Sequence, residues 1–197
     1  MKTMKIKPVF ILLMVVGTNS AIAADTYKVN KTSSTVKWLG KKVGGQHYGT
    51  ISFSEGFLQV SNGKPSGGEF VIDMNSILCD DLTDASLNQK LVGHLKSDDF
   101  FGVEKFPTAK LVLTNATEKG NGKYLFKGNL TIKGITHPAE FEATVSMSGN
   151  SASAEGSLVI DRSKYDVRYG SGSFFSNLGD KMIYDEFTLD FKVVAAK

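Results

Sequence analysis

The sequence predicts an all-β protein, an antiparallel up-and-down barrel of roughly eight strands with one inserted short helix. Two observations carry this prediction. Apolar residues recur at every second position through most of the chain, and short segments rich in glycine and asparagine separate these runs. Closure into a barrel removes the exposed edges of such a meander, and a two-sheet sandwich is the alternative. The immunoglobulin type of sandwich is not indicated, because a single cysteine cannot form its disulfide.

Residues 1–23 are predicted to be a secretory signal peptide. Lysines at positions 2, 5 and 7 precede the apolar segment Val9–Val16, and Ala21-Ile22-Ala23 fits the small-x-small pattern of a cleavage site. The apolar segment is short for a membrane span, and an N-terminal anchor is the alternative. We therefore expect one exported, periplasmic domain at residues 24–197.

The charge of the exported part argues against nucleic acid as a partner. The formal net charge of the chain is +3, and the three lysines of the signal segment account for all of it. The remaining domain is near neutral, so a basic surface for nucleic acid is not expected.

Cys79 is the single cysteine, so no internal disulfide can form. Nothing near it in sequence supplies the histidine and orienting group that a nucleophile needs. We expect a buried or half-buried free thiol. Intermolecular pairing through Cys79 leaves a homodimer open.

Three strands are predicted before residue 80. Thr35–Val43 alternates and places Val36 and the only tryptophan, Trp38, on one face. His47–Val60 continues the pattern after a glycine pair. Gly68–Ser76 follows a turn, and its inward residues are predicted to be Phe70, Ile72 and Met74.

Asp80–Ser97 is the one predicted helix. The acidic residues at its start suit a cap and first turn, and Leu87, Leu91 and Leu95 form one apolar stripe. His94 borders this stripe, and we expect it to fix the cap or the next loop rather than to act as a general base.

The stretch Gly93–Lys110 is predicted to fold back onto an apolar surface. It carries Phe100, Phe101 and Phe106 among charged residues, and a solvated loop has no need of three phenylalanines.

Five strands are predicted after Pro107, four of them joined by short turns and the last preceded by the long loop Tyr165–Asp180. Their predicted inward faces alternate through Ala109–Leu113, Tyr124–Ile132, Ala139–Met147, Ala152–Ile160 and Phe187–Val193.

Small residues cluster on the predicted inward faces of three neighbouring strands. A barrel of about eight strands is filled by its own side chains, or holds one small ligand when those side chains are small. The pattern alone leaves open a cavity or a tapered core. The small residues are Gly128, Ala139, Ala143, Ala152, Ala154 and Gly156.

Several longer motifs resemble the YceI-like family of lipid- and polyisoprenoid-binding proteins. In chain order they are VKWLGKKVGGQHYGTISFSEG, GGEFVIDMNSI, HLKSDDFFGVEKFPTAKL, LTIKGITHP and IDRSKYDVRYGSGSFF. The resemblance covers residues 25–196 and implies an exported, lipocalin-like barrel with a long isoprenoid or similar lipid in an apolar cavity. It favours a cavity over a tapered core.

On that resemblance we expect a lipid carrier or reservoir and no enzymatic activity. The implied ligand is a polyisoprenoid, an isoprenoid quinone or a fatty-acid-like molecule, with no other cofactor. Lipid exchange implies transient contact with a membrane or a membrane protein. An exported enzyme and a ligand-free structural or partner-binding barrel are the alternatives.

The lipid tail is expected to lie along one set of inward side chains, and two phenylalanine-bearing loops are expected to cover it as lids. Sealing one end of the core is the alternative role of these loops. The tail residues are Phe126, Leu130, Phe141, Ala143, Val145, Leu158 and Phe191. The lid residues are Phe100, Phe101 and Phe106 in one loop and Phe174 and Phe175 in the other.

Arg162 and Arg168 are the only arginines and are candidate contacts for a lipid head group. Their planar guanidinium groups suit carboxylate or phosphate, and pairing with nearby aspartates to fix the loop is the favoured alternative. The three histidines lack the spacing of a zinc site, and no G-x-S-x-G motif is present, so neither a metal nor a catalytic residue is expected.

Overall fold

A computed structural model describes residues 24–197. One α-helix, α1, spans Ala85–Lys96 in this region, and short 3₁₀ turns lie at Arg162–Tyr165 and Gly179–Lys181. The strands are β1 Asp25–Val29, β2 Thr35–Lys42, β3 Gly45–Ser61, β4 Lys64–Cys79, β5 Thr108–Gly120, β6 Lys123–Ile132, β7 Ile135–Ser148, β8 Ser151–Asp161 and β9 Ile183–Ala196. The signal-peptide prediction for residues 1–23 lies outside the described residues.

The strands close into a barrel with eight positions, which confirms the predicted fold class. Each strand from β2 to β9 pairs antiparallel with the next, and β9 returns to pair with β2. Strand β1 continues the line of β2, because both pair with β3 and with β9. The sequence reading missed β1, whose five residues bury only Tyr27 and show no clear alternation.

The inward faces are those that the period-two pattern predicts. On β4, Phe70 and Met74 face the interior, and on β9 so do Phe187 and Phe191. The strands run longer than predicted where bulges let the pairing continue. The pairing of β3 with β4 shifts register three times and extends to a two-residue turn, Asn62-Gly63, at positive φ.

Helix α1 is shorter than the predicted Asp80–Ser97. The side chain of Asp84 accepts a hydrogen bond from the Leu87 N–H at 2.9 Å, so Asp84 is the N-cap and the residues before it form a turn. No residue of α1 is buried, and Leu87 is 52% exposed. The helix covers one end of the barrel, with Leu95 packed against the buried core.

The two ends of the barrel differ. One, the loop end, carries the β2–β3 turn, α1 with the loop after it, the β6–β7 turn and the segment between β8 and β9. The other, the turn end, carries the tight turns β3–β4, β5–β6 and β7–β8. Among the described helices, none is long and apolar enough to cross a membrane.

Candidate functional site

An apolar cavity of about 260 Å³ lies inside the barrel. Every strand from β2 to β9 contributes side chains to its wall, and Leu91 and Leu95 of α1 and Phe100 and Phe101 of the following loop complete it. No aspartate or glutamate lines it. A space with this lining suits an apolar ligand, because an unpaired polar group would be costly to bury there.

The cavity is closed at the turn end. Tyr27, Tyr124 and Val145 are buried there and do not line the cavity. The Tyr27 hydroxyl donates a hydrogen bond to the main-chain oxygen of Gly149 at 3.2 Å, which ties β1 to the β7–β8 turn. A ligand therefore has no route through this end.

The cavity reaches the surface at the loop end. Its lining there includes Lys41, Lys42, His47 and Tyr184, of which both lysines and Tyr184 are exposed. We call these four residues the rim. The rim is therefore where the cavity meets solvent.

Arg162 is a buried cation at the loop end, and its side chain is 4% exposed. Its guanidinium donates to the main-chain oxygens of Val167, Ile183 and Tyr184 at 2.8 to 3.1 Å, and Asp185 Oδ1 lies 3.5 Å from Nη2. Burial lowers the pKa of Arg162, and Asp185 and Asp161 partly offset this effect, but an arginine stays charged in proteins. Arg162 therefore fastens the β8–β9 segment to β9.

A second polar group lies at the rim. His47 Nδ1 is 2.8 Å from Asp81 Oδ2, and the other carboxylate oxygen accepts hydrogen bonds from the Tyr48 N–H at 3.0 Å and from Cys79 Sγ at 3.2 Å. Partial burial alone would raise the pKa of Asp81, but these hydrogen bonds outweigh burial and hold the pKa below its ordinary value. Asp81 is therefore an ionised anchor for the His47 ring.

A family model for the YceI-like domain matches residues 27–195, which is nearly the whole described chain. The chain belongs to the YceI-like family. A UPF0312 protein of Serratia proteamaculans is 31% identical over 140 residues, covering 70% of this chain and 69% of that protein. A UPF0312 protein of Shewanella denitrificans is 38% identical over 95 residues, and this alignment spans 47% of that protein's length.

Solved structures share this YceI-like fold. BcnA of Burkholderia cenocepacia superposes with a TM-score of 0.68 at 26% identity, covering 85% of this chain and 99% of BcnA. A polyisoprenoid-binding domain of Saccharophagus degradans gives 0.61 at 15% identity, covering 86% of this chain and 97% of that domain. At that identity the second match shows the fold alone.

The predicted tail residues mostly share the cavity of this YceI-like barrel. Six of the seven line it: Phe126, Leu130, Phe141, Ala143, Leu158 and Phe191. Val145 does not line it. It lies on the predicted face and is 6% exposed, but it packs in the closed turn end beyond the cavity. Alternation predicts which face a residue takes, but not how far along the barrel the empty space extends.

The small residues do not open the cavity as the sequence reading supposed. Only Ala143 and Ala154 of that set line it. A Cβ at Gly128 would lie 2.3 Å from the Val112 main-chain oxygen, and one at Gly156 would lie 2.8 Å from the Phe191 ring. These glycines let neighbouring groups approach closely, so their lack of a side chain is used by packing rather than by a ligand.

The two phenylalanine-bearing loops differ in position. Phe100 and Phe101 line the cavity, and Phe100 is 7% exposed. Phe106, Phe174 and Phe175 do not line the cavity. Phe106 packs near Gly102 and Gly134, whereas Phe174 and Phe175 are 40% and 50% exposed. Their loop carries many polar residues and turns outward after Ser171, which sequence spacing does not reveal.

Arg168 does not reach the cavity. It is exposed, pairs with Asp166, and lies 4.9 Å from the centre of the Phe174 ring. His94 contacts Asp99 at 3.3 Å and packs edge-on against Phe100 and Tyr169, which agrees with the predicted loop-fixing role. Within residues 24–197, no three His, Cys, Asp or Glu side chains are arranged to hold a metal ion.

Cys79 is a buried free thiol, as predicted. Its side chain contacts Asp81, and burial raises its pKa. A buried thiol of raised pKa is not poised for reaction, so intermolecular pairing through Cys79 would require local opening.

The sequence reading missed the pairing of His47 with Asp81. The two residues are 34 positions apart, and no local motif joins them. The one available signal is alternation, which places His47 on the inward face of β3 two residues before Gly49.

Proposed function

We propose that this protein is exported and holds an isoprenoid or a similarly long apolar lipid tail in its barrel, as a carrier or reservoir in the periplasm. The observation that carries the proposal is the apolar cavity, closed at the turn end and reaching the surface at the rim. The Saccharophagus degradans domain of the same fold is described as polyisoprenoid-binding, which supports this ligand class.

Burial of the tail supplies the binding energy. Each methylene removed from water contributes about 0.8 kcal/mol, so about ten carbons contribute roughly 8 kcal/mol before the cost of immobilising the ligand. The basic groups of the lining are lysines, His47, which is held by Asp81, and Arg162, which is already bound to main-chain oxygens. These features favour binding over turnover.

The single tryptophan provides the test. Trp38 lines the cavity, so its fluorescence reports on what occupies it. We expect farnesol added to delipidated protein to shift the Trp38 emission to shorter wavelength and to saturate at one molecule per protein. An unchanged spectrum, together with no retained farnesol in gel filtration, would refute the proposed binding.

Export has its own test. The mature protein is expected to begin near Ala24, after the Ala21-Ile22-Ala23 pattern. N-terminal sequencing of the periplasmic fraction gives the answer directly, and a chain there that begins at Met1 would contradict the cleavage.

A further inference from the structure

We propose that the rim contains a subsite for an anionic lipid head, formed by Lys42 and His47 and positioned by Asp81. The ligand class is an apolar tail that ends in an anionic oxygen, as in a phosphate or a carboxylate. This inference rests on the proposed function, because a head is placed at the rim only if the tail occupies the cavity.

Lys42 and His47 share the inward face of the barrel at its mouth. In the register of β2 with β3, Gly40 pairs with His47 and Lys42 pairs with Gly45. Lys42 and His47 are therefore diagonal neighbours on adjacent strands, within reach of one small ligand group. Gly40 lies between them on the same face, and a Cβ built there would meet no atom within 4 Å. The mouth thus has open space beside both basic side chains.

The charges of the cavity wall have one sign. Its ionisable lining consists of Lys41, Lys42, Lys110, Arg162 and His47, with no carboxylate. Arg162 is occupied by main-chain oxygens, and Lys110 Nζ lies 3.7 Å from a Glu69 oxygen. Neither Lys41 nor Lys42 forms an ion pair with any residue in the described part of the chain.

An anionic head therefore finds cations at the mouth, and the Asp81 carboxylate beside the subsite is already paired with His47 Nδ1. The apolar wall behind the rim keeps the head there, because a charge carried deeper would lose its hydration without a partner. The rim lysines remain hydrated until a ligand arrives, so the subsite is maintained without a buried unpaired charge.

His47 is oriented for the same purpose. Its Nδ1 is held by Asp81, and this leaves Nε2 as the nitrogen available to a ligand at the mouth. With a proton on both ring nitrogens, Nδ1 donates to Asp81 and Nε2 donates to an anionic oxygen. Asp81 itself is fixed by the Tyr48 N–H and by Cys79, so it acts on the head through His47.

The test compares two probes with one tail. Delipidated protein is equilibrated in gel filtration with radiolabelled farnesyl phosphate or farnesol, both below their micellar concentrations. We expect the phosphate to bind at least about tenfold more tightly, since hydrogen bonds to charged groups are among the stronger ones. Added salt should weaken binding of the phosphate and leave farnesol unchanged. Hexadecanoate and hexadecanol form a second pair that shows whether a carboxylate head is accepted as well.

Five variants, one of them a control, assign the effect to residues. Lys42→Gln, His47→Gln and Asp81→Asn should each lower the affinity for farnesyl phosphate by about tenfold and leave farnesol binding unchanged. Lys42→Arg, which keeps the positive charge, should keep the preference of the unaltered protein for farnesyl phosphate over farnesol. Lys37→Gln, which removes an exposed lysine from β2 outside the cavity lining, is the matched control and should change neither affinity.

The outcomes separate the two proposals. Equal binding of both probes by the unaltered protein would overturn the subsite and leave the proposed function standing. An equal loss of affinity for both probes in Lys42→Gln, His47→Gln and Asp81→Asn would also overturn the subsite, because these residues would then act on the barrel rather than on the head. Failure of the unaltered protein to bind either probe would overturn the proposed function, and the subsite with it.

Discussion

The indole N–H of Trp38 donates a hydrogen bond to the main-chain oxygen of Leu78 at 3.0 Å, from β2 across β3 to β4. The ring passes over Gly49, the residue of β3 that pairs with Trp38. A Cβ at Gly49 would lie 1.9 Å from the Leu78 oxygen and 2.9 Å from the Trp38 ring. Gly49 therefore allows three strands to pack closely beside the mouth of the cavity.

Gly49→Ala should destabilise the barrel. The added methyl overlaps main-chain atoms that cannot rotate away, and overpacking of this kind costs at least about 2 kcal/mol. Urea unfolding followed by circular dichroism measures the change. Gly40→Ala is the control on the neighbouring strand, where a Cβ meets nothing, and it should change the free energy of unfolding by less than about 1 kcal/mol. Equal stability of the two variants would show that the strands move apart freely at Gly49.

Arg162→Lys should destabilise the protein strongly although it keeps the charge. A lysine cannot reach the main-chain oxygens of Val167, Ile183 and Tyr184 together, so buried acceptors lose their donors at a cost of about 3 kcal/mol. Arg168→Lys is the control, because its exposed pair with Asp166 contributes less than about 1 kcal/mol. The midpoints of urea unfolding distinguish Arg162→Lys from Arg168→Lys. Similar midpoints for the two variants would mean that Arg162 does not hold the segment between β8 and β9.

Helix α1 and the loop after it should act as the lid. The helix has no buried residue, yet Leu91 and Leu95 line the cavity together with Phe100 and Phe101. Few buried contacts make local opening inexpensive, and a bound tail would add contacts to this element.

Hydrogen exchange measures how readily α1 and the loop after it open. With lipid bound, amides in residues 85–101 should be more protected than in delipidated protein, whereas those in residues 171–177 should change little because Phe174 and Phe175 are exposed and do not line the cavity. Equal protection of residues 85–101 in both states would assign lipid exchange to another route.

Local patterns predict the strands and their faces because alternation is a property of each strand alone. The inward positions of Phe126, Phe141 and Phe191 follow from it. The extent of the cavity does not, since Val145 obeys the same alternation but lies at the closed end. The space depends on how the ends are covered: Tyr27 helps to close one end, and α1 covers part of the other.

The polar features of the site depend on contacts between distant segments. Arg162 finds its acceptors on residues 5 to 22 positions away, after the β8–β9 segment has folded back. The sequence could show that two arginines were unusual, but not that one was buried and the other exposed. Gly156 likewise leaves no free space, because the Phe191 ring and the Glu142 main-chain oxygen lie where its side chain would be.

Extraction of lipid from the natively produced protein tests the central claim most directly. Protein purified from its native host is extracted with organic solvent, and the lipid in the extract is identified by mass spectrometry. Two variants are extracted in the same way: Ala143→Trp, whose indole would fill the cavity, and Thr144→Trp, whose indole would point outward from the same strand. We predict one long-chain apolar lipid per molecule in the unaltered protein and in Thr144→Trp, and a loss of at least about tenfold in Ala143→Trp. Equal lipid in all three proteins, or none in any, would contradict a ligand-holding cavity at Ala143.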